Sequence, residues 1–358
     1  MEYVNTVITG TGSYIPSRII KNSQFTTQDF FEKDGTRISS PGEEVVGKFR
    51  DITGIAERRW VTEEQTTSQI AALAAEKAIE AAGIDRETID HIIVGHNFGD
   101  VVQGTIQSDF LPSIASRVKH ALQIKSTSCI AYDLIFGCPG WIQGLIQADS
   151  YIKSGLAKRC LVIGAETLSR VVDNYDRDTM IFSDGAGACI VEGLTETEKR
   201  GILASSMMNH AADEAYYLYL GRSNKPKSDP KVRYIKMHGR KIYEYSLSFV
   251  PSAMKAALDK TDVPVEDIKK VLLHQANEKM DEAIVKRFYR LYKVNADMND
   301  VMPMNIHKLG NSSVATVPTL YDMIIKGTLN GHQITPGDHV IFASVGAGMN
   351  INAIVYKQ

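Results

Sequence analysis

Several things are scarce in this chain of 358 residues, and each shortage excludes something. No apolar run approaches the ~18 residues that a membrane-spanning helix needs, so no membrane span or membrane partner is expected. Charge of one sign is not in excess. Lys and Arg total 40 against 42 Asp and Glu, a net charge of −2, which gives no electrostatic case for nucleic acid. Only four cysteines occur, Cys129, Cys138, Cys160 and Cys189, too few for a disulfide framework in a chain of this length. The opening MEYVNTVITGTGSYIP carries an acid early and lacks the apolar core of a signal peptide. Free thiols and a cytoplasmic location are therefore expected. No Walker sequence and no HExxH pattern appears. GTGSYI at 10–15 begins like a dinucleotide fingerprint, but Ile15 stands where the third glycine belongs. No metal and no nucleotide cofactor is expected.

The chain does hold alternating helix and strand patterns. EQTTSQIAALAAEKAIEAAGI reads as an amphipathic helix capped by Gly83, and DHIIVGHN as a buried strand after it. SLSFVPSAMKAALDKTDV and KKVLLHQAN repeat that order. The two passages align at a constant offset: Glu87 falls opposite Glu266 (266 − 87 = 179) and Val94 opposite Leu273. Pro139 meets Pro318, and CLVIG from Cys160 meets HVIFA from His339, again at 179. An offset that long is no solenoid period. It predicts two similar α/β halves, 1–195 and 196–358, joined through the polar GLTETEKRG. GRSNKPKSDPKVR, 221–233, reads as a surface loop.

The halves differ where chemistry could sit. Cys138 lies in DLIFGCPGWIQGL, at a strand-to-helix turn whose Pro139 suits the first helical position. A thiol there faces free backbone N–H groups, which predicts a lowered pKa and a nucleophile; a buried structural cysteine is the equal alternative. Gly137 and Gly140 permit close approach by another backbone or a substrate. The other three cysteines sit in apolar runs and read as core. His274 ends the strand VLL, where α/β folds place functional groups, although a lone histidine there is more often structural. Asn311, in KLGNSSVATVP, alone reads as a turn residue. Asp184 in FSDGAG reads as a turn residue too. If the halves pack by pseudo-twofold symmetry, Cys138, His274 and Asn311 converge.

ITGTGSYIPSRIIKN, DITGIAERRW, FGCPGWIQGL, LVIGAETLSR, DRDTMIFSDGAGA, LLHQAN, LGNSSVATVP and SVGAGMN run along nearly the whole chain. Together they resemble β-ketoacyl-acyl carrier protein synthase III, of the thiolase-like superfamily. The resemblance implies a duplicated five-layered α/β fold with two pseudo-twofold related halves and a homodimer. It implies that Cys138 takes an acyl group from an acyl-CoA primer. His274 and Asn311 would then stabilise the enolate left when malonyl-acyl carrier protein loses carbon dioxide. Backbone N–H groups of Cys138 and of Gly346–Ala347–Gly348 would form a second oxyanion hole. Arg177 matches the arginine at the CoA entrance. Leu111, with Phe110 behind it, corresponds to a residue that reaches the partner's acyl pocket. Asn277 lies in the same substrate region, and Lys279, Lys286 and Arg290 form a candidate docking face for acidic acyl carrier protein.

Departures accompany the resemblance. Gly137 and Pro139 flank the cysteine where alanine and serine or alanine are common in the family, Asp178 replaces a common glycine, and Ala347 another. The tryptophan that often precedes TGI-ERR is absent, and an extended segment, FFEKDGTRISSPGEE, stands upstream. These leave CoA less secure as the primer carrier than the condensation itself. Two other readings stand beside it: a related acyltransferase joining acyl chains in secondary metabolism, and a degenerate acyl-binding subunit.

Overall fold

The computed structural model describes residues 2–358. The first half builds a five-stranded sheet from β1 (Tyr3–Tyr14), β4 (His91–His96), β5 (Ile130–Ile135), β6 (Arg159–Thr167) and β7 (Asp184–Glu196). A small ribbon pairs β2 (Arg18–Lys21) with β3 (Glu57–Trp60). The second half contributes β8 (Gly201–Asn209), the hairpin β9 (Leu218–Gly221) and β10 (Tyr234–Met237), then β11 (Ile268–Leu273), β12 (His339–Gly346) and β13 (Asn350–Lys357). The sheet orders are β1-β7-β6-β4-β5 and β8-β13-β12-β11. The predicted duplication is visible strand by strand, with β4, β6 and β7 answering to β11, β12 and β13.

Helices separate and cover the sheets. They are α1 (Gly42–Thr53), α2 (Thr67–Ala82), α3 (Ile114–Ala121), α4 (Gly140–Lys153), α5 (Gly239–Leu258), α6 (Glu278–Arg290) and α7 (Thr316–Ile325). One apolar cluster joins α2 and α3 to the outer face of the first sheet. A second, around Trp141, Leu320 and Phe342, places α4 and α7 between the sheets. A third packs α5 and α6 on the outer face of the second sheet. Three apolar seams give five alternating layers, because each sheet buries both faces.

Local chemistry sets the boundaries. Thr66 and Gln69 form a capping box at the start of α2, and Gly83 (φ 64°) closes it in the left-handed conformation. Within GLTETEKRG β7 continues to Glu196, and β8 starts at Gly201 after a tight turn held by Arg200 on Glu196 (2.7 Å). One sequence expectation shifts. The α5 helix begins at Gly239, ahead of the segment read as helical.

The antiparallel hairpin β9–β10 is joined by the polar loop after Gly221. Its anchor is Lys236, fully buried, whose Nζ contacts Asp173 (2.6 Å), Asp176 (2.8 Å) and Asn224 (2.8 Å). Removing one partner from a buried charge group leaves the other charges unpaired, which costs about 3–5 kcal/mol. Lys236→Ala is therefore expected to lower unfolding free energy by about that much in urea titrations. A loss below ~1 kcal/mol would show that the hairpin does not depend on this anchor.

Candidate active site

Cys138 sits one residue before the cap of α4: Pro139 is the N-cap and the helix starts at Gly140. The turn is tight. Gly137 has φ 69°, and a Cβ there would stand 2.6 Å from the Ala347 backbone nitrogen. A Cβ on Gly346 would stand 2.4 Å from the Cys138 backbone nitrogen. The first-half turn and the 346–348 loop thus press backbone to backbone, which puts the Gly346–Ala347 segment beside the thiol.

His274 follows the end of β11, its backbone N–H bonded to Ala343 O (2.9 Å). Asn311 occupies the place that the 179 offset assigns to Tyr132, in the middle of β5 (311 − 132 = 179). The second half has no strand there. Gly310 (φ 61°) and Ser313 (φ 52°) break the extended run, and Asn311 makes a single bridge with Phe182. Its Oδ1 accepts from Ser313 N–H (2.7 Å), which leaves the amide nitrogen free toward the cavity that the residue lines.

That cavity, about 320 Å³, is walled by Cys138, His274, Asn311 and Ala347 on one side and by Leu220 and Ile235 of the hairpin on another. A second cavity of about 570 Å³ shares Ile181, Met237, Ile242, Ala276 and Met280 with it and opens at the surface near Arg177, Lys48 and Arg240. The pair forms one apolar passage from the surface to the thiol.

Electrostatics correct one expectation. The Cys138 thiol is not lowered: burial pushes it up to about 12, the Ser313 hydroxyl opposes that, and the Glu166 charge adds to it. Burial lowers His274 to about 4, so its ring is neutral at physiological pH, and its buried Nδ1 has no partner among the described residues. Burial also raises Glu166 to about 8. The resting site carries almost no charge.

The remaining candidates fall in different places. Arg177 stands at the outer mouth, paired with Glu32 of the extended segment (3.1 Å), and Ile38 and Ser40 of that segment line the same mouth. Asp178 lies beside Arg177, its carboxyl raised by burial. Asn277 lines the mouth too, but its Oδ1 caps α6 by accepting from Met280 N–H (3.0 Å). Gly348 (φ 73°) shapes the loop without lining the cavity. Phe110 and Leu111 do not line this chain's own cavity; Leu111 is 89% exposed. Lys279, Lys286 and Arg290 are exposed on α6, and Glu282 pairs with Lys286. Asp184 does more than make a turn: it is buried and accepts from Val61 N–H (2.8 Å) and Ser169 N–H (2.8 Å), tying three segments together. Cys129, Cys160 and Cys189 are buried as expected. Sequence reasoning passed over Asn97, Glu166 and Ser313, although Ser313 lies within the quoted LGNSSVATVP.

Comparison with known proteins gives a consistent picture. The family model for 3-oxoacyl-[acyl-carrier-protein (ACP)] synthase III matches residues 132–211, and its C-terminal counterpart matches 258–358. A β-ketoacyl-[acyl-carrier-protein] synthase III of Erythrobacter litoralis is 33% identical over 99% of both chains. The corresponding protein of Novosphingobium aromaticivorans is 33% identical over 98% of both. Among solved structures, the 3-oxoacyl-[acyl-carrier-protein] synthase III of Aquifex aeolicus aligns with a TM-score of 0.79 at 30% identity, covering 99% of this chain and 100% of that one.

Of the four thiols only Cys138 is partly accessible, and with its pKa pushed up to about 12 roughly one in 10⁴ is thiolate at pH 8. Iodoacetamide is expected to label Cys138 alone, its rate rising about tenfold per pH unit between 7.5 and 9.5. A rate plateau below pH 9, read by mass spectrometry of the labelled peptide, would contradict the raised value.

Proposed function

Because the chain belongs to the β-ketoacyl-[acyl-carrier-protein] synthase III family, we propose that Cys138, His274 and Asn311 carry out that family's two half-reactions. The enzyme is an acyltransferase of the condensing type. Its reaction is a decarboxylative Claisen condensation between an acyl primer and malonyl-acyl carrier protein, the step that begins fatty acid synthesis. The observation that carries the assignment of roles is the apolar passage that ends on all three side chains.

In the first half-reaction Cys138 Sγ attacks the primer thioester. The bond from carbonyl carbon to carrier sulfur breaks, and the thiol proton leaves with the departing carrier. The backbone N–H groups of Cys138 and the 346–348 loop face the developing oxyanion. In the second, the malonyl carboxylate leaves as carbon dioxide. The enolate oxygen takes hydrogen bonds from the neutral His274 ring and from the Asn311 amide nitrogen, and the carbanion attacks the acyl-cysteine. A histidine held neutral serves here as a donor. Loss of carbon dioxide supplies the carbanion, so the chemistry calls for no metal or redox group.

The primer passage opens at Arg177, where a CoA phosphate would have to compete with the Glu32 carboxylate for the guanidinium. Acyl carrier protein is the proposed malonyl donor, docking on Lys279, Lys286 and Arg290. Association into a homodimer is supported by β5, an edge strand whose Ile130 and Ile135 are exposed, and by the exposed Phe110 and Leu111 beside it. Leu111 would then meet the partner's acyl pocket. No helix among the described residues is long and apolar enough to cross a membrane, and a cytoplasmic site of action is proposed.

The two half-reactions are expected to separate by mutation. His274→Ala or Asn311→Ala removes a donor aimed at the enolate and should slow malonyl decarboxylation about a hundredfold. Acylation of Cys138, followed by intact mass, should suffer less. Cys138→Ala should abolish acylation and keep some decarboxylation. An Asn311→Ala enzyme that decarboxylates normally yet takes no acyl group would reverse these roles. A panel of acyl-CoA and acyl-carrier primers in the same assay identifies the primer; condensation with a second acyl chain instead of malonyl-carrier would favour the secondary-metabolism reading.

Docking is checked separately. Lys286→Glu with Arg290→Glu should raise KM for malonyl-carrier at least fivefold at low salt and leave decarboxylation of a small malonyl thioester unchanged. An unchanged KM would reduce this helix face to a solvated one.

A further inference from the structure

The raised Cys138 thiol poses a problem that the three proposed catalytic residues do not solve. His274 is too weak a base at about 4 to hold the thiol proton, and it faces the enolate in the second step. Something must make sulfur attack feasible inside an apolar cavity.

A fourth polar side chain touches the sulfur. Ser313 Oγ lies 3.2 Å from Cys138 Sγ. Asn97 Nδ2 donates to the same Oγ (3.2 Å) and also to Glu166 Oε1. The hydrogen count then fixes direction. The two hydrogens of the Asn97 amide go to Glu166 and to Ser313. Ser313 Oγ is thereby an acceptor from Asn97, and its single hydrogen is left to point at the thiol sulfur. Glu166 is fully buried; its Oε1 accepts from the Asn97 amide, and its Oε2, which has no partner among the described residues, is left to carry the acid's proton.

The backbone at Ser313 carries a second, independent sign. Its φ of 52° is in the left-handed region, where a residue with a Cβ is strained and glycine is favoured. Glycine would fit this turn at lower cost, yet the chain places a hydroxyl there. The conformation is held by Asn311 Oδ1 on the Ser313 N–H, and by the turn of 313–315 against β6, where a Cβ on Gly164 would meet Val314 O at 2.3 Å.

We infer that Ser313 is a further catalytic residue, whose hydroxyl donates to Cys138 Sγ as negative charge develops there, with Asn97 and Glu166 as positioning residues that orient it. The inference rests on the reading of Cys138 as nucleophile. The hydroxyl hydrogen bond is strongest on the sulfur as the thiol proton leaves, weakens as the acyl bond forms to Sγ and the proton goes out with the carrier sulfur, and is released once the thioester is made. Sulfur therefore has its own donor from the second half, separate from the two that serve the enolate. The direction agrees with the opposing pull of Ser313 on the thiol.

Ser313→Gly is the decisive variant, because glycine adopts this φ and keeps the N–H that holds Asn311. Three quantities are measured: iodoacetamide alkylation of Cys138 from pH 7.5 to 9.5, acylation by intact mass, and malonyl decarboxylation. Alkylation and acylation are expected to fall at least tenfold, the pH–rate line moving down in parallel, while decarboxylation stays within threefold. Asn97→Ala should fall in the same direction, and the double variant should be no slower than Ser313→Gly, since Asn97 acts only through Ser313. Glu166→Gln keeps an acceptor for Asn97 and removes the charge that opposes the thiolate, so it should alkylate at least as fast as the unaltered enzyme. Undiminished alkylation in Ser313→Gly, or an additive loss in the double variant, overturns the inference. Iodoacetamide reports on the thiol whatever the acyl donor. An enzyme that alkylates at Cys138 but accepts no acyl group overturns the nucleophile assignment alone, and Ser313 is still judged by its alkylation rate.

Discussion

The site depends on a contact with no side chains in it. Where the halves meet, Gly346 and Gly137 let the 346–348 loop lie against the Cys138 turn, and Gly164 lets the 313–315 turn lie against β6. A single Cβ at any of the three would sit 2.3–2.6 Å from a backbone atom of the other half. That approach puts a nucleophile from one half within reach of groups from the other. The apolar seam of α4 and α7 holds the halves together around it. Without it His274, Asn311 and Ser313 would belong to a different surface from Cys138.

The close approach also explains the electrostatics. Packing the turn so tightly removes water from the thiol, the imidazole and the Glu166 carboxyl together, and each responds by favouring its neutral form: up to about 12, down to about 4, and up to about 8. A neutral site accepts an apolar acyl chain at little electrostatic cost. Charge appears only during chemistry, first on sulfur and on the thioester oxygen, then on the enolate, and fixed donors stand at each place. The helix N-terminus stands close by, α4 starting two residues after Cys138, and the Ser313 hydroxyl adds a donor at the sulfur itself.

Much of this was legible in the sequence, and the part that was not has a physical cause. The duplication showed in a constant offset of apolar positions, because buried strands and their covering helices repeat a pattern that topology fixes. Cys138 and His274 stood out because each occupies a strand end or turn where its counterpart in the other half is chemically different, and Asn311, alone a turn residue, gained meaning only beside them. The pKa of Cys138 was misread because a sequence shows that a helix begins nearby but not how deeply the thiol is buried. Glu166 was invisible for a related reason: in LVIGAETLSR it reads as the polar end of a strand, and only the fold turns it toward Asn97, 69 positions away. The pairing of Arg177 with Glu32 could not be read either, since it joins an entrance residue to an extended segment that no local pattern places.

The duplicated design accounts for the division of labour better than any single residue does. The first half keeps its fifth strand, β5, and uses the turn after it to present a nucleophile. The second half gives up the equivalent strand. Gly310 and Ser313 turn the chain out of the sheet, so that Asn311 and Ser313 share one short loop facing the thiol instead of continuing a fifth strand. Breaking the strand sacrifices a run of sheet hydrogen bonds, and the chain recovers part of that loss through Asn311 Oδ1 on Ser313 N–H and Ser183 N–H on Asn311 O (2.8 Å). Those same bonds aim the side chains. One half keeps its architecture to present the nucleophile and then hold its acyl group, while the other breaks its own to supply side-chain donors, and two-step chemistry follows from that asymmetry.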